Sequence, residues 1–265
     1  MADADLDARI SRVARTLLDA QYVLALTGAG ISVESGIPPF RGPGGLWTKY
    51  GEPPMNGYQQ FLADPKAWWE RRLRGDDVRP ETASFDTAQP NAGHYALADL
   101  ERMDILKYLI TQNVDNLHYE AGSQHVVEIH GNRTRMRCTG CLARWPRADF
   151  LVDPEQLPPR CPFCGGVVKG DGVMFGEAIP SDALEICHRE SLQADCVLIV
   201  GTSGTVYPAA EFPLMAQRRG ATLIEVNPYE THLTRACDLV LRGPSGELLS
   251  QVVQHIKELL EVRGE

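Results

Sequence analysis

Two sets of residues in this chain have the types and spacing that chemistry requires. The first is four cysteines in two pairs, Cys138-x-x-Cys141 and Cys161-x-x-Cys164, with 19 residues between the pairs. Two intervening residues let both thiolates of a pair face one ion, and four thiolates suit tetrahedral zinc. All four ligands are protein atoms, so such a site is closed and structural. Pro162, Gly165 and Gly166 are the turn residues of such a knuckle. The second set is Gln112-Asn113-Val114-Asp115-Asn116, followed by His130-Gly131-Asn132. It supplies an amide, a carboxylate and an imidazole at the ends of two apolar runs, residues 106–110 and 126–129. An imidazole with an ordinary pKa near ~6.5 can act as a base at neutral pH. His118 and His125 lie nearby, but His130 sits at a strand end before Gly131-Asn132 and is the one expected to face a cleft.

The elements that must position these groups follow from the apolar pattern. Both runs read as short buried strands. In an open α/β sheet, ligands bind beyond the carboxyl ends of the strands, so Asn113, Asp115 and His130 are expected to share one crevice. Residues 22–26 form another apolar run, ending in Thr27-Gly28-Ala29-Gly30-Ile31-Ser32. This reads as a strand, a glycine turn and a helix, where small residues let backbone amides approach a pyrophosphate. The full dinucleotide fingerprint needs glycine where Val33 stands, and no acidic residue follows a second strand at the usual distance. Taken alone, the turn leaves a phosphate site and a plain tight turn equally open. A second such unit runs from residues 196–200 through Gly201-Thr202-Ser203-Gly204 to a helix from about Pro208. Residues 222–226 and 238–241 complete the strands, with Asn227 at the end of the former.

Helices are expected over residues 4–19, 64–74 (Asp64 as cap, Pro65 first), 91–103 and 181–193. In the third, Ala92, Tyr95, Ala96 and Leu100 are the apolar positions, and His94 reads as structural. A closing amphipathic helix carries Leu248, Leu249, Val252, Val253, Ile256, Leu259 and Leu260. Residues 42–60 read as a mobile loop, residues 79–89 as a polar linker and residues 173–177 as a strand. Trp69 and Arg72 sit three apart and are expected on one helical face.

With 265 residues and 43% hydrophobic content, the chain can bury one large core plus a small satellite. A net charge of -9 argues against a nucleic-acid partner and suits a basic peptide better. The same charge ranks a nucleic-acid-binding zinc ribbon last, and the segment between the cysteine pairs (Pro146, Asp149, Asp153, Glu155) has no basic-aromatic face. The opening Met-Ala-Asp-Ala-Asp has no basic start, and no apolar run is long enough to span a membrane. The expectation is a cytoplasmic protein with no membrane partner, in which cysteines serve metal binding or stay as buried thiols. Cys187, Cys196 and Cys237 have no partners at ligand spacing, and nothing else suggests iron–sulfur redox work.

Several motifs in one order carry a resemblance. Gly28 to Ser32, Ser35 to Pro38 and Phe40 to Gly42 resemble the opening signature of the sirtuins, NAD-dependent protein deacylases. The Gln112–Asn116 and His130–Asn132 stretches, the four cysteines, Gly201-Thr202-Ser203 and Val226-Asn227-Pro228 are similar to the same family in the same order. The resemblance implies a doubly wound, Rossmann-like α/β domain over residues 1–132 and 171–265. An insertion at about 42–90 would close over NAD, and a small zinc-ribbon domain would occupy residues 133–170. It implies NAD and one structural zinc as cofactors, and an acyl-lysine peptide or protein as substrate. Gly28, Ala29, Gly30, Ser32, Arg41, Gly201, Thr202, Ser203 and Asn227 would bind NAD, with Ser203 and Asn227 near the adenosine ribose. Asn113 and Asp115 would hold nicotinamide against Ile37 and Phe40, and Gln112 would meet the nicotinamide ribose. His130 would act as general base on a ribose hydroxyl, giving O-acyl-ADP-ribose and free lysine. Val173 and Phe175 match the strand that pairs with substrate, although Gly170 stands where the family usually has proline. Pro39 stands where many deacetylases have aspartate, a departure shared with members that remove acidic or long acyl groups. Members accepting succinyl or malonyl groups carry a tyrosine and an arginine at the spacing of Trp69 and Arg72. An NAD hydrolase or ADP-ribosyltransferase would use the same pocket and is the principal alternative, and a non-catalytic NAD sensor is a further one.

Overall fold

The computed structural model describes residues 2–76 and 84–263. Its main sheet is built from β1 (Val23–Thr27), β2 (Leu106–Thr111), β3 (Val126–Glu128), β7 (Cys196–Val200), β8 (Thr222–Val226) and β9 (Leu239–Leu241). Every residue of β1 and β7 is buried, the expected fate of aliphatic runs covered on both faces in a parallel sheet. The order is β3-β2-β1-β7-β8-β9 and each pairing is parallel. Strand order therefore reverses between β1 and β7, which opens a crevice at their carboxyl ends.

Helices α1 (Ala2–Asp19), α6 (Ala92–Arg102) and α10 (Ser245–Arg263) cover one face. Ile10, Val13 and Leu17 of α1 meet Leu97, Leu100, Val252 and Ile256 in one buried cluster. Helices α8 (Ser181–Gln193) and α9 (Glu211–Gln217) cover the other, where Cys187, Phe212 and Ala216 pack on Leu24, Leu26 and Ile199. A separate antiparallel sheet, β5-β4-β6, joins β4 (Arg135–Cys138), β5 (Arg144–Pro146) and β6 (Val168–Gly170). Helix α4 (Pro65–Arg74) is capped by Asp64, whose Oδ1 accepts the Ala67 amide at 2.9 Å.

Several local expectations are corrected. The segment after the first glycine turn is a 3-10 helix, Ala29–Ser35, ended by Gly36 at φ 86°. Residues 42–60 contain α2 (Leu46–Tyr50) and the start of α3 (Gly57–Ala63) rather than being loop throughout. Tyr95 is 48% exposed, because Ala96, Leu97 and Leu100 are the core positions of α6. Of the expected linker, residues 79–83 lie outside the described residues, and Ser84–Thr87 form a helical turn, α5. Residues 173–177 make no strand. The Glu177 amide donates to Met174 O at 3.0 Å, and the Glu177 carboxylate accepts the Met174 amide at 2.8 Å, which closes a turn.

The two glycine turns touch at the reversal point. Gly30 N donates to Gly201 O at 2.8 Å and Gly28 N to Val200 O at 3.1 Å. A Cβ on Gly30 would stand 2.6 Å from Gly201 O, so the turns must separate to admit one. Gly30→Ala is expected to cost about 1–3 kcal/mol by overpacking. Thermal denaturation should show a lowered midpoint, whereas an unchanged midpoint would mean that the turns are not locked together.

Candidate functional site

Five strand ends deliver the polar groups. Gly28, Ala29, Gly30 and Ser32 follow β1, Gln112, Asn113 and Asp115 follow β2, and His130 follows β3. Gly201, Thr202 and Ser203 follow β7, and Asn227 follows β8. These expected site residues therefore lie along one edge of the sheet.

Their hydrogen bonds have a direction. The two amide hydrogens of Asn113 go to Gly28 O and Ser32 Oγ, each at 3.1 Å. Ser32 has one hydroxyl hydrogen and gives it to Asp115 Oδ2 at 2.7 Å. Asp115 Oδ1 accepts the Leu117 amide at 3.0 Å. Both hydrogens of Asn113 are thus committed, which turns its carbonyl oxygen into the group offered to a ligand. Burial raises the Asp115 pKa above the usual carboxylate range, against the lowering effect of the Ser32 and Leu117 bonds. Ile37 is buried, packs with Leu117 and donates its amide to Ser32 O at 3.2 Å, while Phe40 remains 37% exposed.

Gln112 bridges the two halves of the sheet. Its Nε2 donates to Thr202 Oγ1 at 2.8 Å and to Thr27 O at 3.2 Å. His130 Nδ1 lies 3.1 Å from the Gln112 carbonyl. A carbonyl only accepts, so Nδ1 carries the proton and Nε2 of the neutral ring holds the basic lone pair. Burial lowers the His130 pKa, partly opposed by that hydrogen bond, so the ring is neutral at pH 7. Asn227 Nδ2 donates to Thr202 O at 3.1 Å, and Ser203 Oγ pairs with Thr205 Oγ1 at 2.8 Å. Arg41 Nη1 donates to Thr205 Oγ1 at 3.0 Å and its guanidinium lies 4.2 Å from the Trp47 ring centroid. Trp47 in turn contacts Phe40 and Phe175 at centroid distances of 5.1 and 5.6 Å.

The four cysteine sulfurs lie within 4.8 Å of one another, with Cys138–Cys164 at 3.4 Å and Cys141–Cys161 at 3.6 Å. A tetrahedral zinc with ~2.3 Å Zn–S bonds needs sulfurs roughly 3.8 Å apart, so the donor set fits. Amides of Gly140, Phe163 and Gly166 point at the sulfurs from 3.3 to 3.4 Å, as thiolate charge requires. A Cβ on Gly166 would stand 3.0 Å from Cys138 Sγ.

Trp69 and Arg72, expected on one helical face, have different neighbours. Trp69 is buried in the zinc module's apolar cluster, and its indole N–H donates to Val168 O at 3.0 Å. Its large apolar surface goes to packing α4 on β6. Arg72 instead lies over the neighbouring Trp68, 5.4 Å from the ring centroid. A buried polar layer that reaches Ser32 through His94 was not evident in the sequence. Thr27 Oγ1 bonds Thr111 Oγ1 and His118 Nε2, each at 2.9 Å, and the His94 and His118 rings stand 4.9 Å apart. The signal available was polar residues ending buried strands. Asp171 and Glu177 were not evident either, for no local pattern gives a cue to them.

A family model described as Sir2 family matches residues 28–208. The NAD-dependent protein deacylase of Pyrococcus abyssi is 42% identical, over 95% of this chain and 100% of its own. A solved Sir2 homologue in complex with ADP-ribose is similar at a TM-score of 0.81 and 40% identity, covering 95% of this chain and 98% of its own. A complex of Sir2 with a p53 peptide and NAD+ gives 0.71 and 33%, covering 96% and 98%.

Burial takes the His94 pKa down to about 4 and that of His118 well below its ordinary value. Unfolding lets both rings bind protons more readily. Their neutral, buried state is therefore fully stabilising above about pH 6.5 and becomes a loss as pH falls toward the folded values. Urea unfolding at pH 7 and pH 5 should show a lower midpoint at pH 5. His94 alone contributes a fall of up to about 3 kcal/mol by pH 4. A midpoint independent of pH across this window would contradict the neutral buried pair.

Proposed function

The chain belongs to the Sir2 family, and from that membership we propose that it removes acyl groups from lysine side chains of proteins at the expense of NAD. NAD-dependent protein deacylation is the activity of its curated relatives across nearly the full chain. NAD and one structural zinc are its cofactors. The single observation that carries the residue-level reading is the directed chain from Asn113 through Ser32 to Asp115 beside a His130 whose basic nitrogen is Nε2.

When bound, NAD supplies an electrophilic ribose carbon with nicotinamide as its leaving group, and the acyl group ends on ADP-ribose. The protein's part is positioning, exclusion of water and one proton transfer. Asn113 and Asp115 hold the carboxamide end against Ile37 and Phe40. Gln112 meets the adjoining ribose from its anchor on Thr202. Gly28, Ala29, Gly30, Ser32, Arg41, Gly201 and Thr202 hold the phosphate-bearing middle, and Ser203 and Asn227 the far ribose. His130 Nε2 takes the proton of a ribose hydroxyl after nicotinamide has left. Val173 and Phe175 bear on the acyl-lysine peptide, in keeping with the peptide-bound relative of known structure.

We place the division of the chain at residues 1–132 and 171–265 for the NAD-binding part and 133–170 for the zinc part. The separate three-stranded antiparallel sheet over residues 135–170 supports this. Among the described residues, no helix is long and apolar enough to cross a membrane. Arg72 is the guanidinium proposed to meet an acidic acyl chain, without Trp69 as its partner.

Mass spectrometry of the protein with NAD and one peptide bearing acetyl-, succinyl- or myristoyl-lysine in turn tests the reading. Acyl-ADP-ribose should form in step with free lysine. NAD loss without lysine release would replace it with hydrolase or transferase chemistry in the same pocket. Arg72→Ala should depress succinyl-lysine turnover about tenfold or more, the scale of one charge-assisted bidentate contact, and spare acetyl-lysine. An equal fall on both would assign Arg72 to packing.

A further inference from the structure

Four charged side chains are buried where the zinc module meets the main sheet. Arg137, Lys169, Asp171 and Glu177 have side-chain exposures of 3, 0, 3 and 6%. Charges so far from water persist only when paired and hydrogen-bonded, and their geometry is then tightly fixed. Glu177 is held from both sides, by Arg137 Nη2 on Oε1 at 2.8 Å and by Lys169 Nζ on Oε2 at 3.0 Å. Lys169 Nζ also donates to the carbonyls of Gly170 and Gly172, at 3.0 and 2.6 Å. Both cations come from zinc-module strands, and Arg137 directly precedes the ligand Cys138 in β4.

The carboxylates face the other way. Glu177 Oε2 accepts the Met174 amide at 2.8 Å and so shapes the turn of residues 174–177. Asp171 Oδ2 accepts the Asn132 amide at 2.9 Å, two residues after His130. Arg137 Nη2 donates to Asp171 O at 3.1 Å, while its Nε makes an ion-pair contact of 3.0 Å to Asp171 Oδ1 with the N–H turned off that oxygen. Val173 N then donates to His130 O at 2.8 Å. Gly131, at φ 77°, packs on Asp171 with no room for a Cβ. A continuous path of short polar contacts thus runs from the cysteine cluster to the segment carrying Val173 and Phe175, and to the backbone beside His130.

We propose that Arg137, Lys169, Asp171 and Glu177 are positioning residues through which the zinc module sets the substrate-peptide segment. Zinc in this protein then acts on peptide recognition, not on folding of the module alone. This rests on the reading that residues 173–177 bear on the acyl-lysine peptide. Glu177 is the sharpest point of the path, because its carboxylate joins both module cations to a single backbone amide of the turn. Gln in its place keeps the size, loses the charge and can satisfy only part of that set.

Calorimetric titration of zinc-loaded, full-length Glu177→Gln with an acetyl-lysine peptide and, separately, with NAD reads binding without turnover. The expected result is at least tenfold weaker peptide binding, NAD affinity within twofold of wild type and one zinc per chain. Hydrogen exchange should show the Met174 amide losing protection. Glu177→Asp keeps the charge that Arg137 and Lys169 need but shortens the reach to Met174. It should fold if Glu177→Gln does not, and shift peptide binding in the same direction by less. Equal losses for peptide and NAD, or loss of zinc in parallel, would make the cluster a general brace and overturn the proposal. Unchanged peptide affinity in both variants, with a wild type that binds and deacylates, would overturn the cluster alone. A wild type that does not bind the peptide would overturn both this and the reading of the segment.

Discussion

Gly30 and Gly201 approach each other so closely that neither position has space for a side chain. This contact sits where strand order reverses, between β1 and β7, and it welds the first half of the sheet to the second. The crevice exists because the strands diverge beyond it, and the polar groups share the crevice because their strands end there. Gln112 repeats the connection one layer out by reaching from β2 to Thr202. A dinucleotide laid across such a reversal point would meet both halves at once, as proposed for the two glycine turns.

Above that frame the site works by committed hydrogens. Asn113, Ser32 and Asp115 pass their donors in one direction, and His130 spends its Nδ1 hydrogen on a carbonyl. Each commitment fixes which atom remains to meet a ligand. Burial enforces the choice by keeping His94, His118 and His130 neutral, so that the region under and beside the crevice adds no stray positive charge. The zinc module carries the opposite device, buried charges held in ion pairs. Those pairs are weak evidence for stability, since their desolvation offsets much of their attraction. Their consequence is geometric, for they tie the loop segments at Asn132 and Met174 to β4 and β6 of the zinc module.

Much of this was legible in the sequence, and for identifiable reasons. Strand Cys196–Val200 is an unbroken apolar run, Thr222–Val226 is apolar but for Thr222 and the buried Glu225, and helix Ser181–Gln193 follows Pro180. The cysteine spacing specified its own geometry. What failed was whatever depended on a distant partner. Residues 173–177 read as a strand, in part through the family resemblance, but Glu177 is drawn into the module interface and closes a turn. Trp69 was expected to share a helical face with Arg72, and its packing against β6, which supplies a carbonyl for its indole N–H, has no cue in the local sequence. Buried ion clusters leave no periodic signal, because a charged residue looks the same in sequence whether it is solvated or enclosed.

In the proposed reaction the residues divide the work, with Asn113 and Asp115 serving departure of nicotinamide and His130 serving the later transfer to ribose. The most direct test is the exchange of isotopically labelled nicotinamide into NAD by His130→Ala in the presence of an acyl-lysine peptide, measured beside net lysine release. Exchange should persist while lysine release falls by the ~10²–10⁴-fold typical of a lost general base. Exchange and release falling together would place His130 in the first step and contradict that division.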